Sequence, residues 1–199
     1  MRPFKCRKTT LTFVAVILVL LLLEACGPIL SIHPFYEDKD VVFDPALLGT
    51  WVDPTDADSA PLVFERGKGD SYKAIMRSDD NSDVDAVFEV HLLKLGGRVF
   101  LDAVQMKNRI AGKEVDIGLA VPAHILGQVS IEGNVLHLSL LDQEWVEKEL
   151  KAGKISIPHE EADGDVVLTA STADLQKFVL DHANDENAFS ALGPLQRKK

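Results

Sequence analysis

Cysteine, histidine and clustered aspartate are the residues of this chain that could do chemistry. The sequence has only two cysteines among its 199 residues, Cys6 and Cys26. Cys26 comes directly after Ala25 and is the third residue past the end of an apolar run from Leu11 to Leu23. A small residue at the end of such a run marks a processing site, so Cys26 is the side chain whose surroundings most clearly indicate a reaction.

The apolar run has the features of a signal peptide. Basic residues precede it and Glu24 ends it. Its length corresponds to roughly 20 Å of helix, which is short of the ~30 Å hydrocarbon core of a bilayer. A cleaved signal peptide is therefore favoured over the alternative, an uncleaved N-terminal membrane anchor. Either alternative leaves the basic end in the cytoplasm.

The residues Leu23-Glu24-Ala25-Cys26 resemble the lipobox of bacterial lipoproteins, although Glu24 stands where that family usually has a small or uncharged residue. The resemblance implies that the Cys26 thiol receives a diacylglyceryl group, that a peptidase cuts between Ala25 and Cys26, and that the new amine is acylated. Residues 1–25 would then be the signal peptide, and the membrane would be the partner of acylated Cys26. Gly27 follows, where a retained inner-membrane lipoprotein would have Asp, which implies the periplasmic side of a Gram-negative outer membrane.

Length and charge exclude several classes of function. The 174 residues that remain after cleavage suit one domain with a substantial core. Cleavage removes four basic residues and one acidic residue, which changes the formal net charge from −10 to −13. Such a charge argues against nucleic acid as a partner. With Cys6 removed and Cys26 acylated, no disulfide is expected, so the core alone must stabilise the domain.

The sequence pattern predicts a mainly β domain. Residues 26–44 contain scattered prolines and no sustained period, so we predict an extended tether there, followed by a domain over 45–199. β-rich runs separated by turn residues recur along that domain, and the longest two flank Gly96-Gly97, which is typical of a hairpin. This spacing favours a closed or sandwiched antiparallel sheet.

Two helices are predicted among the strands. Asp142 caps a short helix over 143–151, before the last predicted strands, and Ser171 with Asp174 resembles a capping box for a helix over 172–183. The apolar stripe of the second helix should pack outside the sheet. After it we expect one short turn near Phe189 and a frayed end over 196–199.

The residues Leu48-Gly49-Thr50-Trp51, together with many antiparallel strands and a C-terminal α-helix, resemble a lipocalin-like (calycin) barrel. The resemblance implies that Trp51 closes one end of an antiparallel barrel. An indole suits that position because it fills a large volume while its N–H finds a partner. The chain is also similar to bacterial lipoproteins that share a Leu-Gln-x-Phe helix near the C-terminus, a similarity that implies no activity.

Acidic and histidine clusters are weaker candidates. Asp79, Asn81, Asp83 and Asp85 alternate like a calcium loop, but Val84 and Val90 stand where Gly and Glu belong, so a solvated turn is favoured. The acidic loop with Asp53, Asp56 and Asp58 is interpreted in the same way. His91, His124 and His137 lie in separate strands and would form a zinc site only if the fold brought them together. We find no catalytic motif, and therefore predict no enzyme, no cofactor and no metal.

Two functions remain in competition, with an enzyme a distant third. The first is a lipid-anchored barrel that binds a small hydrophobic ligand, lined by the apolar face Phe88, Val90 and Leu92. The second is a structural or accessory envelope lipoprotein whose barrel is filled by its own side chains, since eight-stranded barrels occur in both forms. The size of the inward-facing side chains should decide between them.

Overall fold

The structure is a computed structural model that describes residues 27–56, 59–77, 84–110, 113–116, 122–162 and 165–198. Its strands are β1 (Leu30–Ser31), β2 (Val41–Val42), β3 (Gly49–Val52), β4 (Leu62–Arg66), β5 (Ser71–Arg77), β6 (Val84–Leu95), β7 (Arg98–Ile110), β8 (Lys113–Asp116), β9 (His124–Glu132), β10 (Val135–Leu141), β11 (His159–Ala162), β12 (Asp165–Leu168) and β13 (Phe189–Arg197). The α-helices are α1 (Gln143–Lys151) and α2 (Thr172–His182), and short 3-10 helices span Asp38–Asp40 and Pro45–Leu47.

Eight of these strands form a closed antiparallel barrel, which confirms the predicted fold class. The order around the barrel is β3-β4-β5-β6-β7-β9-β10-β13, and β13 returns to pair with β3. The barrel strands therefore follow one another around the barrel in the same order in which they occur along the chain. The segment with α1, β11, β12 and α2 is inserted between the last two barrel strands.

The turns define the two ends of the barrel. The hairpin turns β4–β5, β6–β7 and β9–β10 lie at one end, which we call the upper end, while β3, β5 and β10 finish at the opposite, lower end. Gly96 and Gly97 form the β6–β7 turn with φ of +56° and +82°. Positive φ at both positions is what a two-residue hairpin of this type requires, so the glycine pair determines the hairpin locally.

The closing strand was not predicted from the sequence. The pattern predicts one turn near Phe189 and a frayed end, whereas Phe189–Arg197 is the eighth barrel strand and follows the helix that was expected to be C-terminal. Gln196 and Arg197 pair with Val52 and Trp51. The run Leu192-Gly193-Pro194 lacks β-branched residues, and a register shift interrupts its pairing with β10, so its local preference for a strand is weak.

The N-terminal segment also differs from the sequence prediction. Residues 26–44 were expected to form an extended tether, but from Pro28 onward the chain packs along the barrel. β1 pairs with both β9 and β12, and β2 pairs with β6. Ile29 and Phe35 have no exposed surface. Isolated apolar residues between prolines give no periodic pattern, so only their tertiary contacts make this segment part of the domain.

Two hydrophobic clusters stabilise the fold. One fills the barrel, and the other lies outside it, between the sheet and the helices. The helices form where their caps predict: the Asp142 carboxylate accepts a hydrogen bond from the N–H of Trp145, and the Ser171 hydroxyl accepts one from the N–H of Asp174. Leu175, Phe178 and Val179 of α2 are buried in the outer cluster, as expected for its apolar stripe.

Candidate functional site

Trp51 lies inside the barrel near its upper end, and its indole is completely buried. The ring N–H donates to the carbonyl oxygen of Leu47 at 2.9 Å, in the 3-10 turn that precedes β3. The guanidinium carbon of Arg197 lies 4.2 Å from the centroid of the Trp51 ring. Arg197 also donates to the carbonyl oxygens of Leu48 and Ala46. Sequence reasoning missed Arg197 because it lies in the segment that was expected to fray.

The upper half of the barrel is filled by its own side chains. Phe64, Tyr72, Leu92, Leu101 and Leu136 are all at most 4% exposed and belong to the same cluster as Trp51. The Tyr72 hydroxyl donates to the carbonyl oxygen of Asp44 and accepts from the N–H of the same residue, which attaches the segment before β3 to the barrel. A ligand in this half would have to displace well-packed aromatic and leucine side chains.

The lower half is lined differently. In this half, three pairs join a small residue to a half-buried large one across neighbouring strands: Ala74 with Phe88, Ala103 with Ile125, and Gly127 with Leu140. All three large residues pack against the barrel cluster. The three small residues are themselves buried, and Leu138 and Leu140 pack closely against Gly127, so the accessible apolar surface in this half belongs to Phe88, Ile125 and Leu140.

The three residues predicted to line a ligand site therefore occupy different surroundings. Phe88, Val90 and Leu92 all belong to the barrel cluster. Val90 and Leu92 are 2% and 1% exposed, whereas Phe88 is half-buried near the lower end. Of the three, only Phe88 presents accessible surface to a ligand inside the barrel.

A buried carboxylate on the outer face of the barrel was missed by sequence reasoning. Asp102 on β7 is fully buried, and its Oδ1 lies 2.7 Å from Nδ1 of His124 on β9. Its Oδ2 accepts a hydrogen bond of 2.8 Å from the N–H of Phe35. Ser31 is the cross-strand partner of His124, but its hydroxyl donates to the carbonyl oxygen of His33. Asp102 and His124 thus form a buried pair that holds the N-terminal segment, and the Ser31 hydroxyl is hydrogen-bonded to a different residue.

Tyr36 and His91 lie next to this pair. His91 is the cross-strand partner of Asp102, and the rings of His91 and Tyr36 have centroids 4.5 Å apart. Burial raises the pKa of the Tyr36 hydroxyl, and the carboxylates of Asp102, Glu89 and Asp38 raise it further. Two of the three histidines considered for zinc therefore flank Asp102. His137 is exposed on β10, and the described residues contain no cluster of three or more side chains suited to a metal ion.

The acidic loops considered as candidate calcium sites are only partly described by the structure. Asp79, Asn81, Asp83 and Asp58 lie outside the described residues, as do Ala25 and Cys26. The Asp53 carboxylate accepts hydrogen bonds from the N–H and hydroxyl of Thr55, which lower the pKa of Asp53. This is the geometry of an aspartate that stabilises its own turn.

An outer groove of about 520 Å³ lies between β7, β9 and β10, and polar side chains line much of it. Arg98 and Gln128, on its lining, both donate to the carbonyl oxygen of Ala183, at 3.2 and 3.0 Å. They thereby satisfy a backbone acceptor that the end of α2 leaves without a helical partner. Two of the polar side chains that line the groove therefore cap the end of α2.

No family model, curated protein or solved structure matches this chain. Within the described ranges, no helix is long and apolar enough to cross a membrane.

Proposed function

We propose that this chain is a lipid-anchored protein of the bacterial envelope that holds an apolar group in the lower half of its barrel. The anchor is supported by the lipobox residues ending at Cys26. Three acyl chains on one cysteine would make detachment from a bilayer negligible, because each buried CH₂ contributes about 0.8 kcal/mol. In this proposal the domain is lipocalin-like and non-catalytic.

The observation that supports a ligand is the accessible apolar surface of Phe88, Ile125 and Leu140 in the lower half. Ala74, Ala103 and Gly127 each face a large apolar partner that remains half-buried. Accessible apolar surface inside a barrel is stabilised when an apolar group covers it, at roughly 25 cal/mol per Å². Because the filled upper half limits the depth, this space would accept only the terminal part of an acyl chain.

The second candidate is an accessory protein whose barrel has only a structural role. It is favoured by the packing around Trp51, where Phe64, Tyr72 and Leu136 leave no more than a few per cent of their surface exposed. In that case the small residues of the lower half would reflect the taper of the barrel rather than a ligand.

Filling the lower half tests the proposal. A chain expressed without residues 1–25 and carrying Cys26→Ser should copurify with fatty acid or phospholipid, detected by mass spectrometry, and should bind palmitate in calorimetry. Ala103→Leu places a larger side chain beside Ile125 and should reduce palmitate binding at least tenfold. Ala173→Leu, the same change at an exposed position of α2, is the matched control and should bind normally.

A pair of charged substitutions adds a second readout. Phe88→Asp should weaken binding while the domain stays folded, because Phe88 is half-buried. Val90→Asp should unfold the domain, since Val90 is 2% exposed and a buried unpaired charge is poorly tolerated. No copurified lipid and no heat with palmitate in the folded Ala173→Leu control would reject the ligand and favour the accessory role.

A further inference from the structure

We propose that the lower end of the barrel is a membrane-facing surface, which rests on the anchor proposed above. Acylated Cys26 would hold this end against the bilayer, so that the apolar lower half of the barrel opens towards the lipid and can receive an acyl chain from it. Neither the anchor nor the barrel alone implies this orientation. It follows from where the chain leaves the domain.

The chain leaves the domain at the lower end. β10 runs downward and ends at Leu141, and the N–H of Ile29 donates to the carbonyl oxygen of Leu141. Pro28 forms a β-bridge with Asp142, and the carbonyl oxygen of Gly27 accepts from the N–H of Gln143, at the start of α1. Gly27 therefore lies beside the lower end of β10.

No flexible linker separates Gly27 from the proposed anchor at Cys26. Cys26 is the residue next to Gly27, and adjacent Cα atoms are about 3.8 Å apart. The following residues cannot act as a spacer, because Ile29 is fully buried and β1 is hydrogen-bonded into the sheet. A thioether-linked lipid at Cys26 must then bring the adjoining surface to within a few ångströms of the headgroups.

Three exposed apolar side chains lie at the same end, whereas a fourth, Leu180, lies beside Gly96 of the upper β6–β7 turn. Met76 is near the lower end of β5, and Val115 is on β8. Their positions belong to one row of cross-strand partners on the same face of the sheet, which runs Met76, Ala86, Asn108, Val115. Met76 and Val115 are 47% and 45% exposed. Ile32, directly after the lower end of β1, is also exposed.

Charged side chains are exposed at both ends of the barrel. Lys68 and Asp70 lie in the upper β4–β5 turn, and Asp56 lies in the loop that follows β3 at the lower end. Because the mature chain carries a formal charge of −13, general attraction to anionic lipid would not orient it. Apolar contact beside the anchor can orient the domain, since amphipathic surfaces bind the membrane interface through their buried apolar area.

Fluorophore depth measurements on the full lipoprotein test the orientation. Met76→Cys and Val115→Cys would each be labelled with an environment-sensitive probe, and Lys68→Cys, in the exposed upper turn, is the matched control. The proteins are reconstituted in vesicles of phosphatidylethanolamine and phosphatidylglycerol that contain a headgroup spin-labelled lipid. We expect strong quenching at positions 76 and 115, and at least threefold less quenching at 68.

The outcomes separate this inference from the anchor itself. If the processed protein does not float with vesicles, the anchor fails. If it floats but the probes at 76 and 115 are quenched no more than the probe at 68, the anchor stands and the orientation is wrong. A Val115→Ser chain, changed only on β8 outside the eight barrel strands, is the companion variant: it should float normally and lose palmitate uptake from vesicles, while retaining binding of palmitate added in solution.

Discussion

The guanidinium of Arg197 stacks on the indole of Trp51, 4.2 Å from the ring centroid, and this contact lies where the last barrel strand meets the first. β3 and β13 share only two residue pairs at this closure, Gln196 with Val52 and Arg197 with Trp51. The side chain of Arg197 strengthens the closure by also donating to carbonyl oxygens of the turn before β3. One arginine thus connects the two strands and the turn that covers the upper end.

Truncation of Trp51 and truncation of Arg197 should both destabilise the domain, but by different amounts. Trp51→Ala should lower the free energy of unfolding by about 3–5 kcal/mol, as buried aromatic truncations do. Arg197→Ala should cost about 2–3 kcal/mol, from the lost cation–π contact and the carbonyl oxygens left without a donor. Lys198→Ala, at the exposed next residue, is the control and should change stability by less than about 0.5 kcal/mol. Urea unfolding measures all three, and an Arg197→Ala cost equal to the control would contradict the closure role.

Asp102 should be needed to hold the N-terminal segment. Asp102→Ala removes the partner of His124 and of the Phe35 N–H, and we expect a loss of about 3–5 kcal/mol, as for a broken buried pair. Asp181→Ala, in the exposed pair with Lys177, should cost under about 1 kcal/mol. Faster hydrogen exchange of the Phe35 amide in a folded Asp102→Asn variant would check the local effect. Unchanged protection of that amide would show that Asp102 does not hold the segment.

Both tyrosines should titrate at unusually high pH. Burial raises the pKa of Tyr36 and of Tyr72 above the ordinary value of 10.0, and nearby carboxylates add to the shift of Tyr36. As the pH rises past about 10, the unfolded chain loses these protons before the folded chain does. The stability contributed by the two hydroxyls is therefore complete below that pH and is lost as the pH rises through the folded-state pKa values.

Tyrosinate absorbance checks this titration. In the native protein, both groups should ionise later than in the urea-unfolded chain, and Tyr36→Phe or Tyr72→Phe should each remove one of them. These two residues are the only tyrosines of the sequence, so the signal has no other source. A native titration that coincides with the unfolded one would contradict the burial of both hydroxyls.

Processing should depend on Cys26. Cys26→Ser should abolish palmitate labelling and leave an uncut precursor that is 25 residues longer than the mature chain. Cys6→Ser, in the proposed signal peptide, is the matched control and should label normally. Glu24→Ser should speed maturation if the charge handicaps the peptidase. Absence of label on the wild-type chain in a lipoprotein-processing host would reject the anchor.

Local sequence determined the elements whose causes are themselves local. The Gly96-Gly97 turn needs positive φ, and Asp142 and Ser171 each bond an N–H three residues away, so these features could be predicted from neighbouring residues alone. The mainly β class and the inward face of β6 followed from alternation along the strands. The motif around Trp51 indicated a closed barrel through resemblance.

Only the tertiary structure decided how the two terminal segments of the chain pack and how the buried polar groups pair. Phe189–Arg197 becomes a strand because β10 and β3 supply its partners, and Ile29 is buried because the sheet covers it, neither of which local preference contains. Asp102 and His124 are 22 residues apart and meet only through the β7–β9 pairing. Likewise, the contrast between a filled upper half and a small-residue lower half depends on cross-strand register. Register is set by all eight strands together, since closing the barrel fixes how far each strand is staggered against the next.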